Sequence, residues 1–369
     1  MRVYLLLVLV AAAGAWLSTP LVRVLAVRSG AITAVRDRDV HTEPIPRMGG
    51  VAMLIGLALA LLVGSRIPFL AQAFSSPTAW GVLGAATLVT LLGVADDIWE
   101  LDWLTKLAGQ SLAAGLMAWW GGVQLYALPT GHSLTITSSR LSLAVTVLVV
   151  VVAINAVNFV DGLDGLAAGV AAIGGSAFLL YTYLLTRNIS TDYANIASVI
   201  IAVLVGACVG FLPHNVNPAR IFMGDSGSML IGLTFAAAGI VVTGQIDAVT
   251  LDSRQTVPAF LPLLLPVAVL LLPLLDMGLA VVRRMGRGKS PFHPDRLHLH
   301  HRMLQIGHSQ RRAVAILYLW TALFAFGAAS LVVWSARQTL VFLGIGSVVA
   351  LLLTLGPLRG RVRRQEGSA

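Results

Sequence analysis

The chain has 369 residues, 57% of them hydrophobic and only 11% charged, with mean hydropathy +0.86 and a formal net charge of +9. Soluble domains carry about 25% charged residues, so an assembly of water-soluble domains is excluded and lipid is the expected solvent. At ~20 apolar residues per helical crossing, the apolar content suffices for about ten crossings.

Uninterrupted apolar runs at 141–154 and 261–275 do not fit the short alternating strands of an outer-membrane barrel. The expected class is therefore an all-α integral membrane protein. Taken in chain order, apolar segments begin near residues 3, 51, 80, 104, 141, 166, 194, 228, 258, 313 and 338, which predicts about eleven transmembrane helices. The first run, 3–17, reads as a retained span rather than a secretory leader, because Arg2 is a thin basic start while Arg23 and Arg28 follow the run. Between the fourth and fifth segments, residues 123–137 alternate apolar and polar around Pro129 and Gly131, which predicts a small extracytoplasmic hairpin. Cys208, the single cysteine, lies inside an apolar run, so neither an internal disulfide nor a cysteine-rich zinc site is expected.

Alternate loops differ sharply in cations. One set holds Arg2, Arg66, Arg140, Arg187, Arg254 and Arg337, and the other set holds the remaining nineteen, most of them within 23–47, 283–312 and 359–364. The positive-inside rule makes the second set cytoplasmic, with the N-terminus outside and the C-terminus in the cytoplasm. The predicted organisation is a single polytopic domain over 1–369, with a cytoplasmic His/Arg-rich loop at 283–312 and a basic cytoplasmic tail at 358–369. The positive charge thus reports topology. No nucleic-acid partner is expected, and the basic clusters suit anionic membrane lipids or phosphate.

The sixteen acids are equally uneven, with only Asp192, Asp247 and Asp252 predicted to face outward. Ionisable groups beside a hydrocarbon core are costly and are usually retained for function. Three cytoplasmic junctions stand out. The segment near 80 ends in Asp96-Asp97, and adjacent carboxylates call for a nearby cation, with Lys106 nine residues on. A solvated helix end is the plain alternative. The second junction carries Asn155, Asn158, Asp161 and Asp164 at intervals of three, with Gly162 and Gly165 between them. Steps of three rotate a helix stripe, so a regular helix would face Asn155 and Asp164 apart. An interruption at the glycines would let these groups converge. The third is Phe222-Met-Gly-Asp-Ser-Gly-Ser228, where Asp225 and Ser226 are expected to cap a helix start that favours phosphate.

Carboxylate and amide oxygens without cysteine suit Mg²⁺, or Mn²⁺, held together with substrate phosphates. A basic counterpart lies at 283–302, where arginines and Lys289 alternate with His293, His298, His300 and His301. Arginine forks match phosphate oxygens. Zinc is the rival reading, but the histidine spacing is not that of a familiar closed site. Ionisable groups gathered at one face favour an interfacial enzyme over an ion-coupled transporter, whose path would place them at mid-membrane and on both sides.

With these motifs in order, from His41–Gly50 through Asp96-Asp97, Asn155–Gly165 and Gly224–Gly227 to His293–Arg302, the chain resembles the polyprenyl-phosphate N-acetylhexosamine-1-phosphate transferases. The Ser290–Arg302 stretch and Arg47 resemble the WecA/TagO branch more than MraY. The resemblance implies transfer of GlcNAc-1-phosphate from UDP-GlcNAc to undecaprenyl or a related polyprenyl phosphate, with release of UMP. That would be the first membrane step of an envelope glycopolymer, at the bacterial inner membrane with the site facing the cytoplasm. Phospho-MurNAc-pentapeptide transfer is the closest enzymatic alternative. Carried over by position, the resemblance implies Asp225 and Asn158 as metal ligands, and Asp96, Asp97 and Asp161 as catalytic groups. It further implies Gly162, Leu163, Asp164 and Phe222 as the nucleotide pocket, Arg47, Arg296, His298, His300 and His301 as sugar and pyrophosphate contacts, and a homodimer. For Asp97 the roles of base, metal ligand and lipid-phosphate positioner stay open, because a phosphate monoester with a second pKa of about 6 is already mostly dianionic at neutral pH.

Overall fold

The computed structural model describes residues 1–32, 44–130, 133–136, 138–189, 193–243, 278, 282, 285–286, 303 and 307–366. Within them lie ten α-helices: α1 Arg2–Ser29, α2 Gly49–Gly64, α3 Thr78–Trp99, α4 Trp103–Trp120, α5 Ser139–Val160, α6 Leu166–Ile189, α7 Tyr193–Asn215, α8 Gly224–Thr243, α9 Gln310–Ser330 and α10 Ala336–Glu366. Strands β1 (Ala127–Thr130) and β2 (Ser133–Ile136) pair antiparallel between α4 and α5, with Ala127 opposite Ile136 and Thr130 opposite Ser133.

Eight of the ten helices are long and apolar enough to cross a membrane. The other two are α2, at 16 residues, and α4, which carries Lys106 and Gln110 on its length. The predicted span near 258 lies outside the described residues, as does most of the His/Arg-rich loop, including 287–302. Two boundaries differ from the sequence reading. Helix α1 runs on through Pro20 to Ser29, twelve residues past the end of the first apolar run, and closes on Gly30 in the left-handed conformation. At the other terminus α10 continues as helix through the basic tail to Glu366, because arginine and glutamate are good helix formers.

Local chemistry sets several ends. Asp102 caps α4 by accepting from Leu104 N (2.9 Å) and Thr105 N (3.0 Å), and its bonds to Thr105 hold its carboxyl below the usual range. Ser138 caps α5 and Ser309 caps α9 in the same way. Helix α3 stops at Glu100, whose left-handed backbone (φ 49°) turns the chain into α4.

Helix α8 is the axis of the molecule. Every residue from Ser226 to Thr243 is buried, as expected of a helix apolar all round. It packs against α2, α3, α5 and α7, while α1, α6 and α4 form the next layer and α9 and α10 extend the bundle beyond α6. The outside is apolar too, with Leu17, Leu21, Leu340 and Ile345 each more than 60% exposed, a surface suited to hydrocarbon. The chain is a polytopic membrane protein.

The first turn of α8 is approached unusually closely. A Cβ on Gly50 of α2 would collide with the backbone at Ser226 and Gly227, and one on Gly93 of α3 with the backbone at Asp225 and Ser226. Glycine at these two positions lets three backbones meet around one helix start.

Candidate active site

Four chain junctions meet at one end of the bundle. The segment before α2 is stitched to the segment before α8: Phe222 N donates to Pro46 O (2.9 Å), and Gly49 N and Gly50 N donate to Phe222 O and Met223 O (3.0 Å each). Gly224, with φ 69°, makes the turn into α8 and lies so close to Asp97 that a side chain there would strike the carboxylate. The α3 end, the first turns of α4, the α5 end and the α8 start then supply the polar groups.

Asp225 is the hub. Its Oδ1 accepts from Asn158 Nδ2 on α5 (2.9 Å), and its Oδ2 accepts from Lys106 Nζ on α4 (3.1 Å). The same ammonium lies 2.6 Å from Asp96 Oδ2, so Lys106 is the cation that the adjacent acids require. Asp96 Oδ1 accepts from Leu101 N (2.8 Å) and ties the α3–α4 turn to the site. Asn158 also donates to Ser228 Oγ (3.0 Å), which fixes its amide relative to α8.

Asp97 works differently from the sequence expectation for this junction. Its Oδ1 accepts from Asp225 N (3.1 Å) and its Oδ2 from Ser226 N (3.4 Å), and only 8% of its surface is exposed. It is thus the cap of α8, supplied from α3. The expected capping by Asp225 and Ser226 is corrected: Asp225 sits inside the first turn, which leaves its carboxylate free to face α4 and α5, and Ser226 Oγ donates to Met223 O (3.0 Å). Since Asp96 and Asp97 are both nearly buried, the solvated-end alternative is also set aside.

The second junction opens as its glycines suggest. Helix α5 ends at Val160, Asp161–Gly165 is non-helical, and Gly165 takes φ 76° before α6. The four polar groups nevertheless divide. Asn158 joins Asp225. Asn155 turns aside to Gln110 Oε1 on α4 (2.8 Å). Asp164, buried at 4% exposure, accepts on Oδ2 from Asn217 Nδ2 and Ala219 N (3.0 Å each), so its charge anchors the α7–α8 connection. Gly162 is exposed and Leu163 buried, and Phe222, within that connection, is half-buried.

Asp161 follows the last residue of α5 and is half-buried. Burial, then the negative fields of Asp225 and Asp97, push its carboxyl up from the ordinary 3.8 to about 7, with the Arg47 guanidinium opposing them. A carboxyl raised in the folded state favours folding in its protonated form. That stability is complete below the ordinary carboxylate range and is lost as pH rises through about 7. In divalent-free detergent, Asp161→Asn is therefore expected to raise the melting temperature relative to the wild type by a few degrees at pH 8 and by little at pH 4. A pH-independent difference would contradict this electrostatic picture.

Of the predicted site residues, Asp96, Asp97, Asn158 and Asp225 come together directly, and Arg47 is near enough for its charge to act on Asp161 and Asp97. Arg296, His298, His300 and His301 lie outside the described residues. Among the described residues, no three His, Cys, Asp or Glu side chains are arranged as a complete metal centre. The sequence reading missed Ser228, Gln110, Asn217 and Gln310 as site-building groups. For Asn217 a signal existed, the polar block His214-Asn-Val-Asn217 ending an apolar helix.

Chemically, this end of the bundle offers two carboxylates around one cation, a third carboxylate raised by its surroundings, and a buried helix start. Comparison with known proteins adds context. Residues 79–243 match the model of glycosyl transferase family 4. The chain is 46% identical to the decaprenyl-phosphate N-acetylglucosaminephosphotransferase of Mycolicibacterium smegmatis, over 96% of this chain and 88% of that protein. It is 30% identical to the undecaprenyl-phosphate alpha-N-acetylglucosaminyl 1-phosphate transferase of Haemophilus influenzae, over 85% and 82%. It is 32% identical to a phospho-N-acetylmuramoyl-pentapeptide-transferase of M. smegmatis over 75% and 81%.

Proposed function

Because this chain belongs to the polyprenyl-phosphate N-acetylglucosamine-1-phosphate transferase family, we propose that it transfers GlcNAc-1-phosphate from UDP-GlcNAc to a polyprenyl phosphate. The products are the lipid-linked diphospho-sugar and UMP, and the reaction is the entry step of an envelope glycopolymer. The observation that carries this reading is the meeting of Asp96, Lys106, Asn158 and Asp225, from four helices, at one end of a membrane bundle. A lipid phosphate reaches such a place from the bilayer and a nucleotide sugar from the water. Higher identity to the decaprenyl-phosphate relative turns the expected acceptor toward decaprenyl phosphate. The higher identity to the M. smegmatis GlcNAc enzyme, 46% against 32%, supports ranking MurNAc-pentapeptide transfer second.

The donor set fits a divalent cation. Asp96 Oδ2 and Asp225 Oδ2 already converge on one cationic atom, Lys106 Nζ, and both are hard oxygens. Mg²⁺ characteristically takes one or two carboxylates and completes its shell with water and substrate phosphates, so the two carboxylates that converge among the described residues are in keeping with it. Mg²⁺, or Mn²⁺, held by Asp225 and Asp96 would supply charge neutralisation on the pyrophosphate. Asn158 keeps the Asp225 carboxylate oriented, since its amide nitrogen is the atom directed at Asp225. Asp97 holds the backbone that carries Asp225. Lys106 offers a mobile positive charge to an incoming phosphate, and Arg47 a second one. Phosphoryl transfer is largely such positioning and neutralisation.

In this reading the molecule is one polytopic domain of about eleven spans, with the site at the cytoplasmic face of a bacterial inner membrane. The basic loop at 283–312, including Arg296, His298, His300 and His301, recognises the sugar and pyrophosphate, and the enzyme is a homodimer. The test is purified protein with decaprenyl phosphate, Mg²⁺ and one donor at a time. UDP-GlcNAc is expected to release UMP, with UDP-GalNAc and UDP-MurNAc-pentapeptide at least about tenfold slower. Faster turnover of the pentapeptide donor would move the chain to the other branch.

A further inference from the structure

The structure assigns Asn217 as a positioning residue of the donor site, the node that locks the α7–α8 connection between the Asp164 turn and the first turn of α9. The assignment rests on the proposed reaction and deepens it. Asn217 Nδ2 donates both to Asp164 Oδ2 (3.0 Å) and to Gln310 Oε1 (2.8 Å). Its own carbonyl oxygen accepts from Arg311 Nη2 (2.9 Å) and Nε (3.2 Å). One half-buried side chain and its peptide therefore join three separate segments.

The placement of those segments gives the node its meaning. Asp164 belongs to the turn between α5 and α6, where the resemblance sets the nucleotide pocket with Gly162 and Leu163. The connection held by Asn217 leads within five residues to Phe222, the remaining member of that pocket, and then to Asp225. Gln310 and Arg311 open α9 at the C-terminal end of the His/Arg-rich loop of 283–312, whose Arg296, His298, His300 and His301 are expected to contact sugar and pyrophosphate. Asn217 thus fixes the base-facing part of the donor site against the root of the phosphate-facing part. Asp225 itself is held by independent partners, Asp97, Asn158 and Lys106. Loosening Asn217 should therefore weaken donor binding while leaving the reacting centre in place.

The polarity of the Asp164–Asn217 pair permits a reversal. Asn217→Asp sets a second carboxylate against the buried Asp164. Adding Asp164→Asn restores one amide facing one carboxylate and asks Gln310 to turn its amide over. The Asp164 Oδ2 that faces Asn217 also accepts from Ala219 N, however, so that second bond is lost and the recovery is partial.

The experiment measures kcat and both KM values for the wild type, the two single variants, the exchanged double variant and Arg311→Ala, each with its melting temperature in detergent. Asn217→Asp is expected to raise the KM for UDP-GlcNAc about tenfold, with kcat and the KM for polyprenyl phosphate within about twofold of the wild type. The exchange should recover part of that loss, giving a KM well below the one that adding the two single losses predicts. Arg311→Ala, an exposed change, should move the same KM in the same direction by a smaller factor. Additive losses in the exchanged protein, or a loss that falls on kcat or on the lipid KM, would overturn the assignment. If Asn217→Asp does not fold, Arg311→Ala decides on the same criterion. Should the wild type form no lipid-linked product, the proposed reaction fails, and the node is tested by melting alone: recovery of stability on exchange supports it and additive loss removes it.

Discussion

Asp225→Ala is expected to lower UMP release by about a thousandfold or more while the protein still folds and melts cooperatively. The size follows from how many groups converge on this one carboxylate. Lys106 and Asn158 both point at it, and Asp96 shares the ammonium with it. Removal deprives the expected divalent cation of its principal ligand and leaves Asp96 to hold Lys106 alone. The fold should survive, because the backbone N–H of residue 225 keeps its bond to Asp97 and alanine suits a helical first turn. Asn158→Ala should give the same direction with a smaller loss, since it removes the group that orients Asp225 and leaves the carboxylate in place. Release of UMP by Asp225→Ala within about tenfold of the wild type would dismiss Asp225 as the centre of the chemistry.

Gly93→Val should be nearly as damaging without touching any polar side chain. A side chain at residue 93 would strike the backbone of Asp225 and Ser226, which cannot swing away as a flexible side chain can. Either α3 or the start of α8 must move, and overpacking of this kind costs about 1–3 kcal/mol. Both helices carry active groups, Asp96 and Asp97 on one and Asp225 on the other, so the displacement reaches the site directly. A misplacement of about 1 Å is enough to cost a hundredfold in rate. The expected result is a lower melting temperature together with at least that loss of UMP release. Gly93→Ala should sit between wild type and valine in both measurements. Unchanged activity in the valine variant would mean that the close approach of α3 to α8 has no part in holding the centre.

These two positions also show what the sequence made legible. Asp225 announced itself through local composition: a carboxylate among glycines and serines, placed where an apolar helix begins and where solvation is poor. Gly93 gave no such sign, since a glycine within an apolar run reads the same whether it faces lipid or another backbone. The helices themselves were readable because lipid demands long apolar runs. Their ends were less so: α1 outlasts its apolar stretch by twelve residues and α10 runs through its basic tail, because helix propensity carries on where hydropathy stops.

At the site, each correction comes from pairing between distant residues. Adjacent Asp96 and Asp97 looked alike in the chain, yet one holds Lys106 and the other caps a helix 128 residues away. Gly162 and Gly165 pointed to the helix break that α5 shows, but the expected convergence of Asn155, Asn158, Asp161 and Asp164 fails, because spacing says nothing about which neighbour each group finds. Asn155 found Gln110, and Asp164 found Asn217. Lys106 was visible as a counter-charge to the paired acids, whereas its bridge to Asp225 required four helices to be assembled first.

The central claim is the fate of the donor's β-phosphorus, and labelling that atom in UDP-GlcNAc tests it most directly. With decaprenyl phosphate and Mg²⁺, the label should pass into a lipid-extractable diphospho-sugar, one equivalent for each UMP released, and Asp225→Ala should block both products together. Label left in UDP, in free GlcNAc-1-phosphate or in inorganic phosphate, with none in the lipid, would contradict the account.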